Sequence, residues 1–123
     1  MKLTLNDSKP IFQQISDYIS DSIIDGAFLE GEQVPSTNQF AAHFQINPAT
    51  AAKGINQLVE KGILFKKRGI GMFVADGARE KLLQHHRSNF YDEYVKPLLK
   101  EAKKLKLSDA EVIELIKKGG DSE

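Results

Sequence analysis

The first half of the chain contains three segments in which apolar residues recur at helical spacing. Isoleucine stands at every fourth position from Ile11 to Ile23, which predicts an amphipathic helix with one buried face. Ser8 is a good N-cap residue, and Asp25-Gly26 supplies a stop signal. We therefore predict a first helix that begins near Ser8 and ends at Asp25.

Two shorter helices are predicted next. Ser36 and Gln39 form a capping-box pattern, in which each side chain bonds the backbone N–H of the other residue. The helix that follows this pattern is expected to bury Phe40, Ala41 and Phe44.

The third predicted helix opens on Asn47-Pro48, a strong N-cap followed by the residue that is best tolerated at the first helical position. Its apolar residues, from Ala51 to Val59, lie on one face, and Gly62 ends it. Two short helices joined by a turn of three or four residues predict a helix-turn-helix.

A pair of β-prone segments follows the third helix. They cover residues 63–67 and 72–75, and the segment between them contains Gly69 and Gly71. Two such runs around a Gly-containing loop predict a β-hairpin. Three helices followed by a hairpin make a winged helix, a mainly α fold with a small β-hairpin. We assign residues 1–75 to this winged helix-turn-helix domain.

Residues 76–123 form a second predicted region, which is helical. Pro97 removes a backbone donor and predicts a kink or interruption of a long helical segment. A capping box at Ser108 and Glu111 starts a last helix, which is expected to bury Val112, Ile113 and Ile116 and to end before Gly119. So few helices enclose little core, and their apolar faces need a partner surface, most simply a second copy. The residues assigned to dimerisation are Leu83, Phe90, Tyr94, Leu98, Leu105, Ile113 and Ile116.

Charge is unevenly distributed, although the formal net charge is zero. Residues 1–30 carry two Lys against five Asp or Glu, whereas residues 31–75 carry five Lys or Arg against two Glu. The densest positive segment is Lys66-Lys67-Arg68, within the predicted hairpin. One basic face on a neutral molecule is compatible with a nucleic-acid ligand.

Several classes of function lack the residues that they need. The chain has no cysteine, which excludes disulfides, thiolate nucleophiles and thiolate zinc sites. No apolar run approaches the roughly 20 residues that span a bilayer, so we expect a cytoplasmic protein without membrane contact. There is no nucleophile–base set and no glycine-rich phosphate loop, and the adjacent His85-His86 point to different helix faces. We expect no enzyme activity, no metal and no cofactor.

The third helix carries the chemistry of a recognition helix. In a helix-turn-helix, the N-terminal end of the second helix of the motif enters the major groove. A small residue such as Ala49 lets the backbone come close to the groove, Thr50 suits a phosphate oxygen or a thymine methyl, and Lys53 suits a phosphate or a guanine edge. The DNA-contacting residues predicted on this helix are Asn47, Pro48, Ala49, Thr50 and Lys53.

A glycine in the middle of this helix, Gly54, costs roughly 0.5–1 kcal/mol relative to alanine. It lies between the apolar face and its flank, so we assign it to a close crossing with a neighbouring helix and not to the ligand.

Two further segments complete the predicted DNA interface. Ser36 and Thr37 lie where the first helix of the motif crosses the phosphate backbone. Arg68, which is followed by Gly69 and Gly71 in the hairpin loop, is predicted to enter the adjacent minor groove, with neighbouring lysines on phosphates. The contacts predicted on the hairpin are Lys66, Lys67, Arg68, Gly69 and Gly71.

The main alternative is a winged helix used as a protein-interaction module, which the neutral net charge permits. Salt dependence separates the two hypotheses, because affinity for DNA falls steeply with salt when phosphates are neutralised.

The motifs of residues 10–75 also match a known family in order and spacing. They are Pro10-Ile11-Phe12 with Gln14-Ile15, Gly26 and Gly31, Pro35-Ser36, Asn47-Pro48 with Thr50, Leu58 with Gly62, and Arg68-Gly69 with Gly71 and Phe73-Val74. Together they resemble the DNA-binding domain of the GntR superfamily of bacterial transcription regulators. The resemblance implies a DNA-binding regulator that acts as a homodimer on a palindromic operator, most simply as a repressor.

The remainder of about 48 residues is too short for the effector domains of the FadR-like or HutC-like branches, or for the aminotransferase-like extension of the MocR branch. It resembles the short helical tail of the YtrA-like branch, which serves dimerisation and whose regulators often act on transporter operons. The sequence does not identify a small-molecule effector, the operator sequence or the regulated genes.

The chain departs from the family at Asn38, where the family usually has an arginine that contacts DNA. Asparagine pairs with adenine or makes a weaker phosphate contact, but it cannot form the bidentate guanine contact. The resemblance therefore implies that Asn38 contacts DNA. It also implies that the operator sequence differs from the family's usual one, or that this chain binds its operator more weakly.

Overall fold

The structure is a computed structural model that describes residues 3–121. In chain order, its elements are α1 (Ile11–Ile24), β1 (Gln33–Val34), α2 (Thr37–Phe44), α3 (Pro48–Glu60), β2 (Leu64–Lys67), β3 (Gly71–Val74), α4 (Ala78–Phe90), a π-helical turn (Tyr91–Val95), α5 (Lys96–Lys104) and α6 (Asp109–Asp121). The chain divides into two compact units, Met1–Gln84 and His85–Glu123. The predicted fold class is confirmed, since the protein is mainly helical with a small antiparallel sheet.

The core of the first unit lies between its helices and the inner face of its sheet. Ile15, Ile19 and Ile23 of α1 are buried because their spacing of four places them on one face, whereas Ile11, at the start of the helix, is half-buried. Their neighbours in this core are Val34, Phe40, Ala41, Ala51, Ile55, Leu58, Ile63, Leu64, Val74, Ala78 and Leu82.

Gly54 lies where α3 crosses α1, as predicted. A methyl group built at Gly54 would lie 2.5 Å from the backbone oxygen of Phe12 and 3.2 Å from the Cβ of Ile15. Only a residue without a side chain allows the two helix backbones to approach this closely, and the assignment of this glycine to packing is confirmed.

The start of α1 differs from the prediction. The helix begins at Ile11, with Pro10 as N-cap, and Ser8 does not cap it. The Ser8 hydroxyl donates instead to the side-chain oxygen of Asn6, and the carbonyl of Pro10 accepts the first helical N–H groups. Ser8 thus belongs to the turn before the helix and lies two residues ahead of its N-cap.

The capping interactions of the helix-turn-helix are those that the sequence predicts. The Ser36 hydroxyl accepts from the N–H of Gln39 at 3.1 Å, while the Ser36 N–H donates to Gln39 Oε1 at 2.7 Å. Between the helices, Gln45 adopts a left-handed conformation with φ of 54°, and the N–H of Ile46 donates to the carbonyl of Ala41 at 3.0 Å. This bond closes α2 with the hydrogen-bonding pattern of a Schellman motif.

The sheet has three strands, one more than the predicted hairpin. β2 and β3 pair antiparallel as expected, and β1 adds to the other edge of β3, so the strand order is β1-β3-β2. In this register Gln33 lies opposite Phe73, and Val34 lies opposite Met72. A two-residue strand has too few positions to show an alternating pattern, and the sequence therefore did not reveal it.

The N-terminus of α4 is tied to the loop between α1 and β1. The two carboxylate oxygens of Glu30 accept from the N–H groups of Gly77 and Arg79, at 2.9 and 3.2 Å. The Arg79 Nε in turn donates to the carbonyl of Ile24 at 3.0 Å. The carboxylate thus satisfies unpaired N–H groups at the positive end of the helix dipole.

In the second unit, the α-helix is interrupted close to Pro97, as predicted. The interruption is the π-helical turn at residues 91–95, in which the N–H of Lys96 donates to the carbonyl of Tyr91. Pro97, in the first turn of α5, has no N–H to donate to the residue four positions earlier, and a wider turn before it relieves that mismatch.

The last helix begins as predicted but ends later. The Ser108 hydroxyl and the Glu111 carboxylate form the expected capping box, with both bonds at 3.1 Å. The helix then continues to residue 121, through two glycines that were expected to end it. Of its predicted buried residues, Val112 is buried, whereas Ile113 and Ile116 are 50% and 61% exposed.

None of the helices within residues 3–121 combines the length and the apolar character that crossing a membrane requires.

Candidate nucleic-acid interface

The first turn of α3 presents small side chains at an exposed helix N-terminus. Asn47 Oδ1 accepts from the N–H of Ala49 at 2.8 Å, which caps the helix, and Pro48 has no N–H that would need a partner. Pro48 and Ala49 are exposed, and Thr50 is half-buried. This end of α3 is therefore open to a ligand, and its helix dipole favours a negative charge.

Lys53 lies one turn further along α3, and its ammonium group is held by an aromatic ring. Its Nζ lies 4.1 Å from the centroid of the Phe12 ring, at the start of α1. The two residues line a shallow surface depression together with Ala49, Ala52, Asn56, Gln57 and Glu60. Sequence reasoning missed Phe12 as a neighbour of the site, because an apolar residue near a helix start gives no sign of a cation–π contact.

The first turn of α2 carries the three predicted contacts of that helix. Ser36 is the N-cap and uses its hydroxyl oxygen as an acceptor within the capping box, which leaves its O–H group to donate. Thr37 is half-buried and Asn38 is exposed. All three residues thus belong to one helix N-terminus.

The wing, residues 64–74, ends in a hydrogen-bonded turn. The N–H of Ile70 donates to the carbonyl of Lys67 at 2.9 Å, and Gly69 has φ of 77° at the third position of this four-residue turn. A positive φ at that position is typical of a type II turn and explains the glycine. Arg68 occupies the exposed second position, at the tip.

The two lysines of β2 differ in their surroundings. Lys67 places its Nζ 4.4 Å from the ring centroid of Phe73 and 5.8 Å from that of Phe65, which stack on the outer face of the sheet. Lys66 is also exposed, and as the preceding residue of the strand it points to the opposite face. Of these two lysines, Lys67 is therefore the one that lies over aromatic rings.

The basic residues of the predicted interface are not neutralised by carboxylates. Within residues 3–121, neither Lys53 nor the three basic residues of the wing, Lys66, Lys67 and Arg68, form a salt bridge. Their charges remain available to an anionic partner such as a phosphate.

Gln33 is a second residue that sequence reasoning missed. Its Nε2 donates to the carbonyl of Ile70 in the wing at 3.1 Å, across 37 positions of the chain. Gly71, which follows, has φ of 150°, and a methyl group at that position would overlap the Gln33 amide. No local pattern in the sequence shows such a contact, because it depends on the pairing of β1 with β3.

The residues assigned to dimerisation lie mainly on exposed positions of the second unit. Leu83 lies in the first unit and is half-buried. The exposed large apolar side chains of the second unit are Phe90, Tyr91, Tyr94, Leu98, Leu99, Leu105, Ile113, Leu115 and Ile116. Between α5 and α6, an apolar groove contains Ala102 and Val112 at its base.

Among the side chains that the structure describes, no three His, Asp or Glu residues lie close enough together to hold a metal ion.

A helix-turn-helix with an open, capped second helix, followed by a basic wing, defines the winged helix-turn-helix class of DNA-binding proteins. The family model of the bacterial regulatory proteins of the gntR family matches residues 11–74, and the chain belongs to this family. It is therefore a DNA-binding transcription regulator and not an enzyme.

Two curated relatives extend the similarity into the second unit. The chain is 30% identical to the uncharacterized HTH-type transcriptional regulator YhcF of Bacillus subtilis over 110 residues. This match covers 89% of this chain and 89% of YhcF. It is 27% identical over 95 residues to the HTH-type transcriptional repressor YtrA of the same organism, covering 77% of this chain and 72% of YtrA. The resemblance to the YtrA-like branch is confirmed.

Solved structures agree with the fold of both parts of the chain. A GntR family transcriptional regulator from Listeria monocytogenes is 25% identical and has a TM-score of 0.72, over 93% of this chain and 98% of that protein. The DNA-binding domain of AraR, solved in complex with the operator ORR3, is 31% identical with a TM-score of 0.54, over 61% of this chain and 90% of the AraR domain.

Proposed function

We propose that the chain is a homodimeric transcriptional repressor of the cytoplasm, which binds a two-fold symmetric operator through α2, α3 and the wing. The observation that carries this proposal is the first turn of α3, where Pro48 and Ala49 leave a capped helix N-terminus open at the surface. Small side chains at this position allow the helix backbone to approach base edges in a major groove.

Each of the three segments contributes a different kind of contact in this proposal. Thr50 and Lys53 contact the major groove or its flanking phosphates, and the α2 residues Ser36, Thr37 and Asn38 contact the backbone of the duplex. Arg68 enters the minor groove, flanked by Lys66 and Lys67 on phosphates. The AraR domain, which shares this fold, was solved in complex with an operator, and this supports DNA as the ligand.

The dimer is proposed because the second unit leaves most of its large apolar side chains in water. Leu98 is 45% exposed and Tyr94 is 62% exposed, and they are two of the nine such residues described between positions 85 and 121. Leu98, Leu105 and Ile116 line one groove between α5 and α6, and exposed apolar surface of this kind marks an interaction site. A two-fold dimer would place two α3 helices about 34–36 Å apart, one turn of the duplex. The repressor YtrA, a relative along most of the chain, supports the direction of regulation.

Binding of the purified protein to duplex fragments, measured by fluorescence anisotropy at several salt concentrations, tests the proposed function. If a dimer neutralises about six to eight phosphates, log affinity should fall with log salt with a slope of roughly −5 to −7. Absence of binding at low salt would instead favour the protein-interaction module.

Two substitutions test the surface itself. Thr50→Ala should lower the affinity for DNA about 3- to 10-fold, and Arg68→Ala about 10- to 100-fold, because the arginine contact is charge-assisted. Both variants should keep the unfolding temperature of the wild type. Lys100→Ala, which removes a cation from an exposed position on α5, is the control and should bind as the wild type does. Unchanged affinity in both test variants would refute the proposed surface.

Selection of bound fragments from a genomic library with the purified protein tests the symmetry of the operator. We expect the recovered fragments to share an inverted repeat whose half-sites are about 10 base pairs apart. Recovery of unsymmetrical single sites would contradict binding as a two-fold dimer.

A further inference from the structure

Gln33 is an exposed glutamine in a two-residue strand, and its side chain is directed to a loop far away in the sequence. β1 pairs with β3, which brings Gln33 opposite Phe73. From there its Nε2 donates to the carbonyl of Ile70 at 3.1 Å, just after the tip of the wing.

The backbone of the wing is shaped to accept this side chain. Gly71 has φ of 150°, a conformation that residues with a side chain rarely adopt. A methyl group at Gly71 would overlap the Gln33 amide, so the amide occupies the space that a side chain at residue 71 would fill. The close approach of the amide to the wing therefore requires a glycine at this position.

The other contacts at the tip of the wing come from within the hairpin. Its four-residue turn is closed by the bond from Ile70 N–H to Lys67 O at 2.9 Å. Ile70 itself is 65% exposed and adds little packing. Lys67 and Gly71, at the two ends of the turn, pair in the β2–β3 ladder, and the Gln33 amide adds a contact from β1 to the turn itself.

We propose that Gln33 is a positioning residue for DNA binding: by holding the Ile70 carbonyl, it fixes the wing turn in the conformation that presents Arg68 to the duplex. This inference rests on the proposed function, in which Arg68 contacts DNA. A turn that is already ordered before binding loses less conformational entropy in the complex, and this is the source of the gain in affinity.

Gln33→Met tests the proposal, because methionine keeps the length of the side chain and removes its donor. We expect the affinity for the operator to fall about 3- to 10-fold, the change that corresponds to one neutral hydrogen bond. Gln84→Met makes the same exchange at an exposed position of α4 and is the matched control. It should bind as the wild type does.

A double-mutant cycle with Arg68→Ala separates positioning from general stability. If Gln33 acts through Arg68, Gln33→Met should change the affinity less than about 2-fold once Arg68 is absent. The unfolding temperatures of Gln33→Met and the wild type should agree. The same loss of affinity in both backgrounds, or a clearly lower unfolding temperature, would show a merely structural role and overturn the proposal.

The free protein provides a test that does not depend on DNA. In the wild type, the backbone order parameter of Gly69, measured by NMR relaxation, should be near the value of about 0.85 that is typical of rigid backbone. In Gln33→Met it should fall toward the flexible range, below about 0.6. An unchanged order parameter would overturn the proposal.

Failure of the proposed function and failure of the positioning role of Gln33 would give different results. Absence of DNA binding by the wild type, together with a loosened wing in Gln33→Met, would reject the proposed function and with it the role of Gln33 in binding. Normal DNA binding that Gln33→Met does not alter would reject the positioning role alone.

Discussion

Single residues in this protein act mainly through the backbone contacts that they allow. Gly54 lets α3 cross α1 at a distance that no side chain would permit, since even a methyl group would lie 2.5 Å from the Phe12 carbonyl oxygen. Gln45, in contrast, adopts a left-handed conformation that is usually left to glycine. Glycine is thus the residue that the position of Gly54 requires, whereas Gln45 adopts a conformation that glycine would adopt more easily.

Gly54→Ala should destabilise the first unit. The better helix propensity of alanine would contribute about 0.5–1 kcal/mol, but forcing a methyl group into a packed helix crossing costs about 1–3 kcal/mol, so a net loss of about 1–2 kcal/mol is expected. Urea unfolding monitored by circular dichroism measures it. Gly119→Ala, where a methyl group meets no atom within 4 Å, is the control and should be neutral or slightly stabilising. A stabilising Gly54→Ala would contradict the role assigned to the crossing.

Gln45→Gly should stabilise the helix-turn-helix by about 0.5–1 kcal/mol. The left-handed conformation costs a residue with a side chain about 1–2 kcal/mol, and the extra freedom of glycine in the unfolded chain offsets part of the gain. Thermal unfolding measures the change, with about 4–8 °C expected per kcal/mol for a unit of this size. The control is Ala42→Gly, on the exposed side of α2, which should lose about 0.5–1 kcal/mol. A lower unfolding temperature for Gln45→Gly would refute the prediction.

At the scale of elements, helix starts depend on both local and distant caps. α2, α3 and α6 are capped by residues within their own first turn, Ser36, Asn47 and Ser108. α4 is capped instead by Glu30, from a loop 47 positions before the N–H of Gly77. The start of α4 is therefore stable only when the first unit is folded.

Glu30→Ala should weaken α4 at its N-terminus. Loss of a cap costs about 0.5–2 kcal/mol, and because Glu30 is exposed we expect a value near the lower end, about 0.5–1 kcal/mol. Amide hydrogen exchange should accelerate at Gly77 and Arg79, while the amides of α2 keep their protection. Glu30→Gln, which keeps one acceptor oxygen without the charge, should show a smaller effect. Equal exchange rates in the wild type and Glu30→Ala would contradict the capping role.

At the scale of the whole molecule, the two units differ in how they bury their apolar residues. The first unit encloses a core of fully buried isoleucines, phenylalanine and leucines. The second unit has Ala102 and Val112 as its buried apolar residues within the described range, and it leaves large side chains such as Leu98 exposed. Its stability therefore depends on covering that surface, which is the physical argument for the proposed dimer.

Leu98→Asp should convert the proposed dimer into a monomer and weaken operator binding. A carboxylate at an apolar contact has to be desolvated without a partner, which disfavours association strongly. Analytical ultracentrifugation measures the mass, and anisotropy measures binding. Lys100→Asp places the carboxylate two residues further, on the opposite side of α5, and should remain dimeric. A Leu98→Asp variant that stays dimeric would contradict the assigned interface.

Much of the DNA-binding unit was predictable because its helices are defined by interactions between near neighbours. The stripe of isoleucines, the Ser36–Gln39 capping box and the Asn47-Pro48 start each involve residues no more than four positions apart. The start of α1 was predicted wrongly at Ser8, because Ser8 bonds to Asn6 in the turn before the helix, and the local pattern of residues does not reveal this.

The sequence by itself determined the three capped helices, the basic hairpin and the kinship to a family of regulators, because periodicity, caps and turn glycines act over a few residues. Tertiary structure alone decided the third strand, the Glu30 cap of α4 and the hold of Gln33 on the wing. Each of these joins groups that are 37 or more positions apart in the chain. Such contacts form only after the chain has folded, and they leave no periodic trace in the order of its residues.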